Sequence, residues 1–240
     1  MVTRTAAVIV IAGCWGLSQA PGAWAGRPLS SDDAATADTG TCQVESWLDG
    51  QGSDRALVIA PACGVAPGIE LAADYTLFHP RDPVRAGAGL AIKWVPEAWS
   101  WATPAGALNL GLKLSAAMER SAGSGWRLAG TGMLGLLTLA PDDDWALHAN
   151  LGMARERSSG TTGSLLNLAL TWTPTEQTLL FAESRMNNRR EVFGGTVNTL
   201  GGRWWLLKDS LGLDLSASRE AGNASRTAWS LGFGWYGLRF

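Results

Sequence analysis

The stretch Leu211–Phe240, LGLDLSASREAGNASRTAWSLGFGWYGLRF, decides the fold. Its first part sets Leu211, Leu213, Leu215 and Ala217 against Gly212, Asp214, Ser216 and Ser218. One face is greasy and the other polar, a period of two that a strand produces and a helix does not. A polar break at Ala221–Arg226 follows, and then an aromatic-rich run that closes on Phe240. Soluble domains usually finish in a few polar, frayed residues. Two membrane-crossing strands explain this stretch better. One detail needs a repair: Trp229, Leu231 and Phe233 have the opposite parity to Tyr236, Leu238 and Phe240, so a bulge is expected near Gly234.

The whole chain agrees with that start. It has 240 residues, 30 of them Gly and 13 Trp, and only 17% are charged. Soluble domains carry roughly 25% charge. A net charge of −2 leaves no basic footprint for nucleic acid. Beyond the first twenty residues no apolar run approaches the ~18 residues of a spanning helix. A barrel spreads its apolar residues over alternate positions and so reaches an intermediate hydrophobicity.

The amino terminus reads as an export signal over residues 1–25. Arg4 supplies the positive end, Ala6–Leu17 the apolar stretch, and Ala23-Trp24-Ala25 the small-residue site for cleavage before Gly26. The alternative is a lipoprotein box at Ile11-Ala12-Gly13-Cys14, with Cys14 lipidated. Residues 26–41, GRPLSSDDAATADTGT, are small, polar and patternless, and are expected to form a flexible periplasmic leader. The barrel is then residues 42–240. Its two cysteines, Cys42 and Cys63, are expected to pair in an oxidising compartment. Their hairpin would set Val44 against Pro61, Ser46 against Ile59 and Leu48 against Leu57, with the turn on Gln51–Asp54.

Further strands follow in the same rhythm. In one of them Leu108, Leu110, Leu112 and Leu114 alternate with Asn109, Gly111, Lys113 and Ser115. Two strands resist a facing: 126–139, apolar on both sides in its second half, and 177–185. Pro96–Ala105 is the longest break between strands. The fold class is therefore all-β: a single closed antiparallel transmembrane barrel of about twelve strands, ten or fourteen being the neighbouring even counts. An even count leaves both termini on the periplasmic side. Trp94, Trp145, Trp172, Trp204 and Trp205 fall beside the periplasmic turns, as an interfacial girdle would place them.

Parity sends Glu70, Asp74, Arg85, Lys93, Lys113, His148, Asn150, Arg203 and Asp214 inward. They could line a pore that selects solutes by charge and hydrogen bonding, or form a salt-bridge network that satisfies buried charge. Catalysis is not expected. His148 and Asn150 invite comparison with outer-membrane phospholipases, but no serine neighbours that histidine in Trp145–Gly152. No cluster has metal-ligand spacing, and no cofactor is implied.

A final strand ending on an aromatic resembles the end signal of bacterial outer-membrane barrels. With Gly201-Gly202-Arg203-Trp204-Trp205-Leu206-Leu207, Leu211–Ser218 and Trp229–Trp235, the last quarter of the chain is similar to the transporter family named for the MetA pathway of phenol degradation. The resemblance implies passage of small, often apolar molecules through an outer-membrane channel. It also implies recognition of the strand ending in Phe240 by the barrel-assembly machinery. Outer-membrane lipid and lipopolysaccharide are the expected surroundings, and the alternative role is a structural or surface-interaction barrel with a filled lumen.

Overall fold

A computed structural model of the chain describes residues 29–80, 84–221 and 227–240. The export signal, with Cys14 and the site after Ala25, lies outside the described residues. Thirteen strands run through the rest: β1 Thr41–Gln51, β2 Asp54–Ala66, β3 Ile69–His79, β4 Val84–Trp94, β5 Ser100–Thr103, β6 Gly106–Ser121, β7 Trp126–Ala140, β8 Trp145–Glu156, β9 Thr162–Thr175, β10 Thr178–Asn187, β11 Val197–Leu207, β12 Leu211–Glu220 and β13 Thr227–Arg239. Twelve of them form a closed antiparallel barrel. Each pairs with its neighbour in sequence, β4 pairs with β6, and β1 pairs with β13 to shut the ring. The thirteenth, β5, is a short strand laid along β6. It belongs to the Pro96–Ala105 connection, which is not an unstructured break.

Closure satisfies every ladder without leaving an edge, the condition a sheet must meet inside lipid. Among the described residues no helix is long and apolar enough to cross a membrane. The strands do the crossing. Their outward positions form a belt of exposed apolar side chains, including Leu90, Leu151, Leu200 and Leu215, between 59% and 67% exposed. Water tolerates few contiguous apolar patches of that extent. Trp145 and Trp172 stack across β8 and β9 at 5.4 Å, beside the turns at the end of the barrel that carries both chain ends. By the convention of bacterial barrels that end is called periplasmic and the other outer.

The β1–β2 register is the one the cysteines demand, with Val44 opposite Pro61, Ser46 opposite Ile59, Leu48 opposite Leu57 and a disulfide between Cys42 and Cys63. Three expectations need correcting. The irregularity in β13 sits at Tyr236–Gly237 rather than near Gly234: three steps from Trp235 to Leu238 face two steps of β1, and Gly237 has φ +72°. The bulge returns Leu238 to the lipid side but leaves Tyr236 inside, bonded to Glu45. Trp205 is likewise inside, over Arg203 and Tyr236, and is no part of the girdle. The run Val192–Leu207, expected from the sequence to form one strand, is not one: residues Arg190–Phe193 form a helical turn, α1, before β11 begins at Val197.

Candidate functional site: the occupied lumen

The segment expected to be a flexible periplasmic leader is inside the barrel. From Leu29 to Asp38 it runs through the lumen, with Ser31 and Asp32 fully buried, Ala34 2% exposed and Leu29 8% exposed. Sequence alone hid this because the segment's partners lie far along the chain. Asp32 and Asn150, for example, are separated by 118 positions.

Asp32 is the centre of the contacts. Its carboxylate lies between two ammonium groups, Lys93 Nζ at 2.9 Å and Lys113 Nζ in a still closer contact. Its backbone is clasped by one side chain: the Asp32 N–H donates to Asn150 Oδ1 at 2.7 Å, and Asn150 Nδ2 donates to the Asp32 carbonyl at 2.8 Å. A buried amide side chain thus supplies the donor and acceptor that a neighbouring strand would have supplied. Lys93 also donates to Asp33 Oδ1 at 3.1 Å and to the Ala35 carbonyl at 3.0 Å, and stands 3.8 Å from Glu70. Glu70 accepts the Ala37 N–H at 2.8 Å. On the far wall Glu183 accepts both the N–H and the hydroxyl of Ser31, the latter at 2.5 Å. The Ala34 N–H donates to Thr138 Oγ1 at 2.8 Å, and that hydroxyl meets His148 Nδ1 at 3.0 Å.

Apolar contacts fill the gaps and explain the two strands whose facing could not be read. Inward Leu134 and Leu136 of β7 pack with Ala34. On β10, inward Phe181, with Leu179 beside it, packs against Leu29. Both strands are apolar on both sides because lipid touches one side and this segment the other.

A second buried cluster lies on the wall made by β11, β12, β13 and β1. Arg203 holds Asp214 through two parallel bonds, Nε to Oδ1 at 2.7 Å and an Nη to Oδ2 at 2.8 Å. Its guanidinium stacks at 4.8 Å on both Trp205 and Tyr236 and lies 3.9 Å from Glu45. This cluster braces the wall.

Of the nine residues that parity sends inward, Glu70, Lys93, Lys113, His148 and Asn150 gather at the segment, the first three in charge contacts and Asn150 in the clasp. Arg203 and Asp214 pair with each other. Asp74 is half-buried on β3, four residues beyond Glu70, and Arg85 is exposed at the outer end of β4, eight residues from Lys93. Sequence reasoning missed Asp32, Glu45, Glu183 and Tyr236. Glu45 carried a usable signal, since it alternates with outward Val44 and Ser46; Glu183 did not, because its strand gave no readable facing.

The segment is tethered through a hinge at the seam. Gly40, at φ +80°, donates its N–H to the Gly64 carbonyl at 2.9 Å, and Phe240 N–H donates to the Gly40 carbonyl at 3.2 Å. Gly64 must be glycine for the segment to pass: a Cβ there would stand 2.2 Å from the Ala37 carbonyl oxygen and 2.4 Å from that of Asp38.

A family model described as Uncharacterised conserved protein UCP029691 matches residues 15–229. Among solved structures the chain is similar to the KdgM porin, with 9% identity and TM-score 0.57 over 80% of this chain and 98% of that one. It is similar also to the NanC porin, with 7% identity and TM-score 0.59 over 83% and 100%. The Pseudomonas putida toluene transporter TodX gives 7% identity and TM-score 0.51 over 85% and 90%. At such identities the shared property is the fold, the transmembrane barrel of the bacterial outer membrane. No curated protein sequence matches the chain.

Proposed function

We propose that this chain, which belongs to the family described as Uncharacterised conserved protein UCP029691, is a passive outer-membrane channel for small solutes that its own amino-terminal segment closes. The observation that carries this reading is what fills the lumen. In a barrel built only as a brace, wall side chains meet one another across the interior. Here a single tethered segment, entering through one hinge, occupies the periplasmic half. In the outer half most inward positions are small: Ala56 and Ala60, Gly87 and Gly89, Thr199, Ser216 and Ser230. Larger groups stand among them too: Asp74, Trp47 and Asp49, Arg185 on the inward face of β10, and Phe193, buried against Gly163. The segment itself is held by polar contacts to the wall, and a segment so held can leave the lumen.

The resemblance to the transporter family named for the MetA pathway is compatible with this role. The strand ending in Phe240 would present itself to the assembly machinery, and the belt to lipid and lipopolysaccharide. A filled barrel with a structural or surface role draws on the same segment; the two readings part on whether it ever moves. Planar-bilayer recordings of the refolded full chain and of Gly64→Ala decide between them. The added methyl collides with the segment's backbone, so the variant is expected to conduct for a much larger share of the time than the natural chain. Silence from both, with each protein folded by its heat-modifiable gel mobility, would overturn the channel reading.

A further inference from the structure

The charges on the strands are sorted by face. Every acidic residue within the described strands, from Glu45 to Glu220, has inward parity. Four arginines have the opposite parity. Arg55, Arg120, Arg155 and Arg219 continue the outward rows of Leu57, Met118, Met153 and Leu215, and all four stand at strand ends on the outer rim. Each has an acid beside it in the chain, Asp54, Glu119, Glu156 or Glu220, which the pleat turns to the other side. Three of those acids have partners of their own: Glu119 pairs with Arg127, Glu156 accepts the N–H of Ser158 at 2.7 Å, and Glu220 accepts that of Gly195 at 2.8 Å. Among the described residues none of the four arginines is paired with a carboxylate. The periplasmic rim differs. Among the described residues its outward strand positions carry tryptophan, including Trp94, Trp145, Trp172 and Trp204, and no lysine or arginine.

Two of the arginines lie over tryptophan rings, Arg55 over Trp229 at 5.4 Å and Arg120 over Trp126 at 5.5 Å. Arg55 and Trp229 are the two register partners of Gly50 and meet across it because it has no side chain: a Cβ there would stand 2.3 Å from the Trp229 ring. One Nη of Arg55 donates to the Gly52 and Asp54 carbonyls, at 2.8 and 2.6 Å, which fixes the group and leaves its other N–H donors. Arg219 stands two residues beyond Ala217, the register partner of Trp229, so two arginines bracket one tryptophan. A guanidinium held over a ring keeps its N–H edge for an anion, and its fork matches two phosphate oxygens. The cost of a lipid-facing arginine fades toward the interface, so the charges are tolerated at this depth.

We infer that this outward row of arginines binds the phosphate groups of a phosphorylated glycolipid in the outer leaflet. Arg55, Trp229 and Arg219 form its principal site, with the acyl chains lying along Leu57, Leu231 and Leu215. A phospholipid common to both leaflets would call for arginines at both rims; only one rim has them. Trp229 adds an aromatic face for a sugar ring. The inference rests on the membrane barrel, not on whether the amino-terminal segment moves.

The test uses the full chain refolded in a neutral detergent and titrated with diphosphoryl lipid A, with its dephosphorylated form, or with phosphatidylglycerol at equal phosphate. Melting temperature and the lipid retained in native mass spectrometry are the readouts. Diphosphoryl lipid A is expected to raise the melting temperature and stay bound. The dephosphorylated form should do neither, and phosphatidylglycerol should bind more weakly. Arg55→Gln with Arg219→Gln should lower the affinity for lipid A at least about tenfold, the value of one lost charge-assisted bond. Arg219→Gln alone, which changes an exposed side chain, carries the same test with a smaller drop should the double variant fail to refold. Arg239→Gln removes a cation from the other rim and should leave the affinity unchanged. Equal affinity for phosphatidylglycerol would overturn the glycolipid in favour of a general collar for anionic lipid. Binding that ignores the loss of the phosphates or of the arginines, or that Arg239→Gln weakens as much, would overturn the site.

Discussion

Asp214→Asn would leave the Arg203 guanidinium buried between two aromatic rings with half of its charge partnership gone. Breaking a buried pair from one side costs roughly 3–5 kcal/mol, and that loss is expected in urea unfolding of the lipid-refolded protein. Asp214→Asn should nevertheless leave bilayer conductance close to that of the natural chain, since the Arg203–Asp214 pair ties β11 to β12 within the wall. A large rise in current would assign Arg203 and Asp214 to the closure. Lys113→Glu belongs at the same scale. It turns a positive side chain of the lumen into a negative one, so the reversal potential in a potassium chloride gradient should move toward the potassium side, measured in the Gly64→Ala background. An unmoved reversal potential would remove Lys113 from the path. Which residues lie inside was legible to the extent that strict alternation held. It turned Lys93, Lys113 and Asn150 inward, as pore lining or as members of an ion-pair network, but Asp32 carries no periodic neighbours to mark it, and Tyr236 stays inside because the bulge comes after it.

At the scale of elements, the hairpin Cys42–Cys63 was legible in full, because two cysteines, an alternating pattern and a tight turn all demand one register. Replacing both cysteines by serine should lower stability by roughly 3 kcal/mol in the chain-entropy model, read as a lower urea midpoint. An unchanged midpoint would mean that the strand ladder alone holds the hairpin. The amino-terminal segment was not legible, for a physical reason: it uses its backbone amides and small size, and neither leaves a pattern. Two strands without a readable facing were its trace, since a wall that is apolar inside a polar lumen has something apolar resting on it. A cysteine at Ala34 should resist a membrane-impermeant maleimide in the natural chain and react quickly once Gly64→Ala is added. Equal labelling of both would place the segment outside the closure.

At the scale of the molecule, the ring of leucines decides the solvent. Leu151→Arg puts a charge on the outward face, where mid-bilayer burial of arginine costs roughly 2–4 kcal/mol. Unfolding in lipid vesicles should show that loss. A neutral result would mean that residue 151 does not face hydrocarbon. The strand count and closure followed from the sequence because lipid imposes both, whereas the lumen is free of that constraint and is filled by particulars.

The hinge has a consequence for how the protein is made. The amide of Phe240 donates to the carbonyl of Gly40, and β13 is the strand that completes the ring with β1. The anchor of the lumen segment is therefore complete only when β13 has docked on β1. A partly assembled sheet can have many of its hairpins in place and still lack the latch, so leak-tightness arrives in one step with closure of the ring.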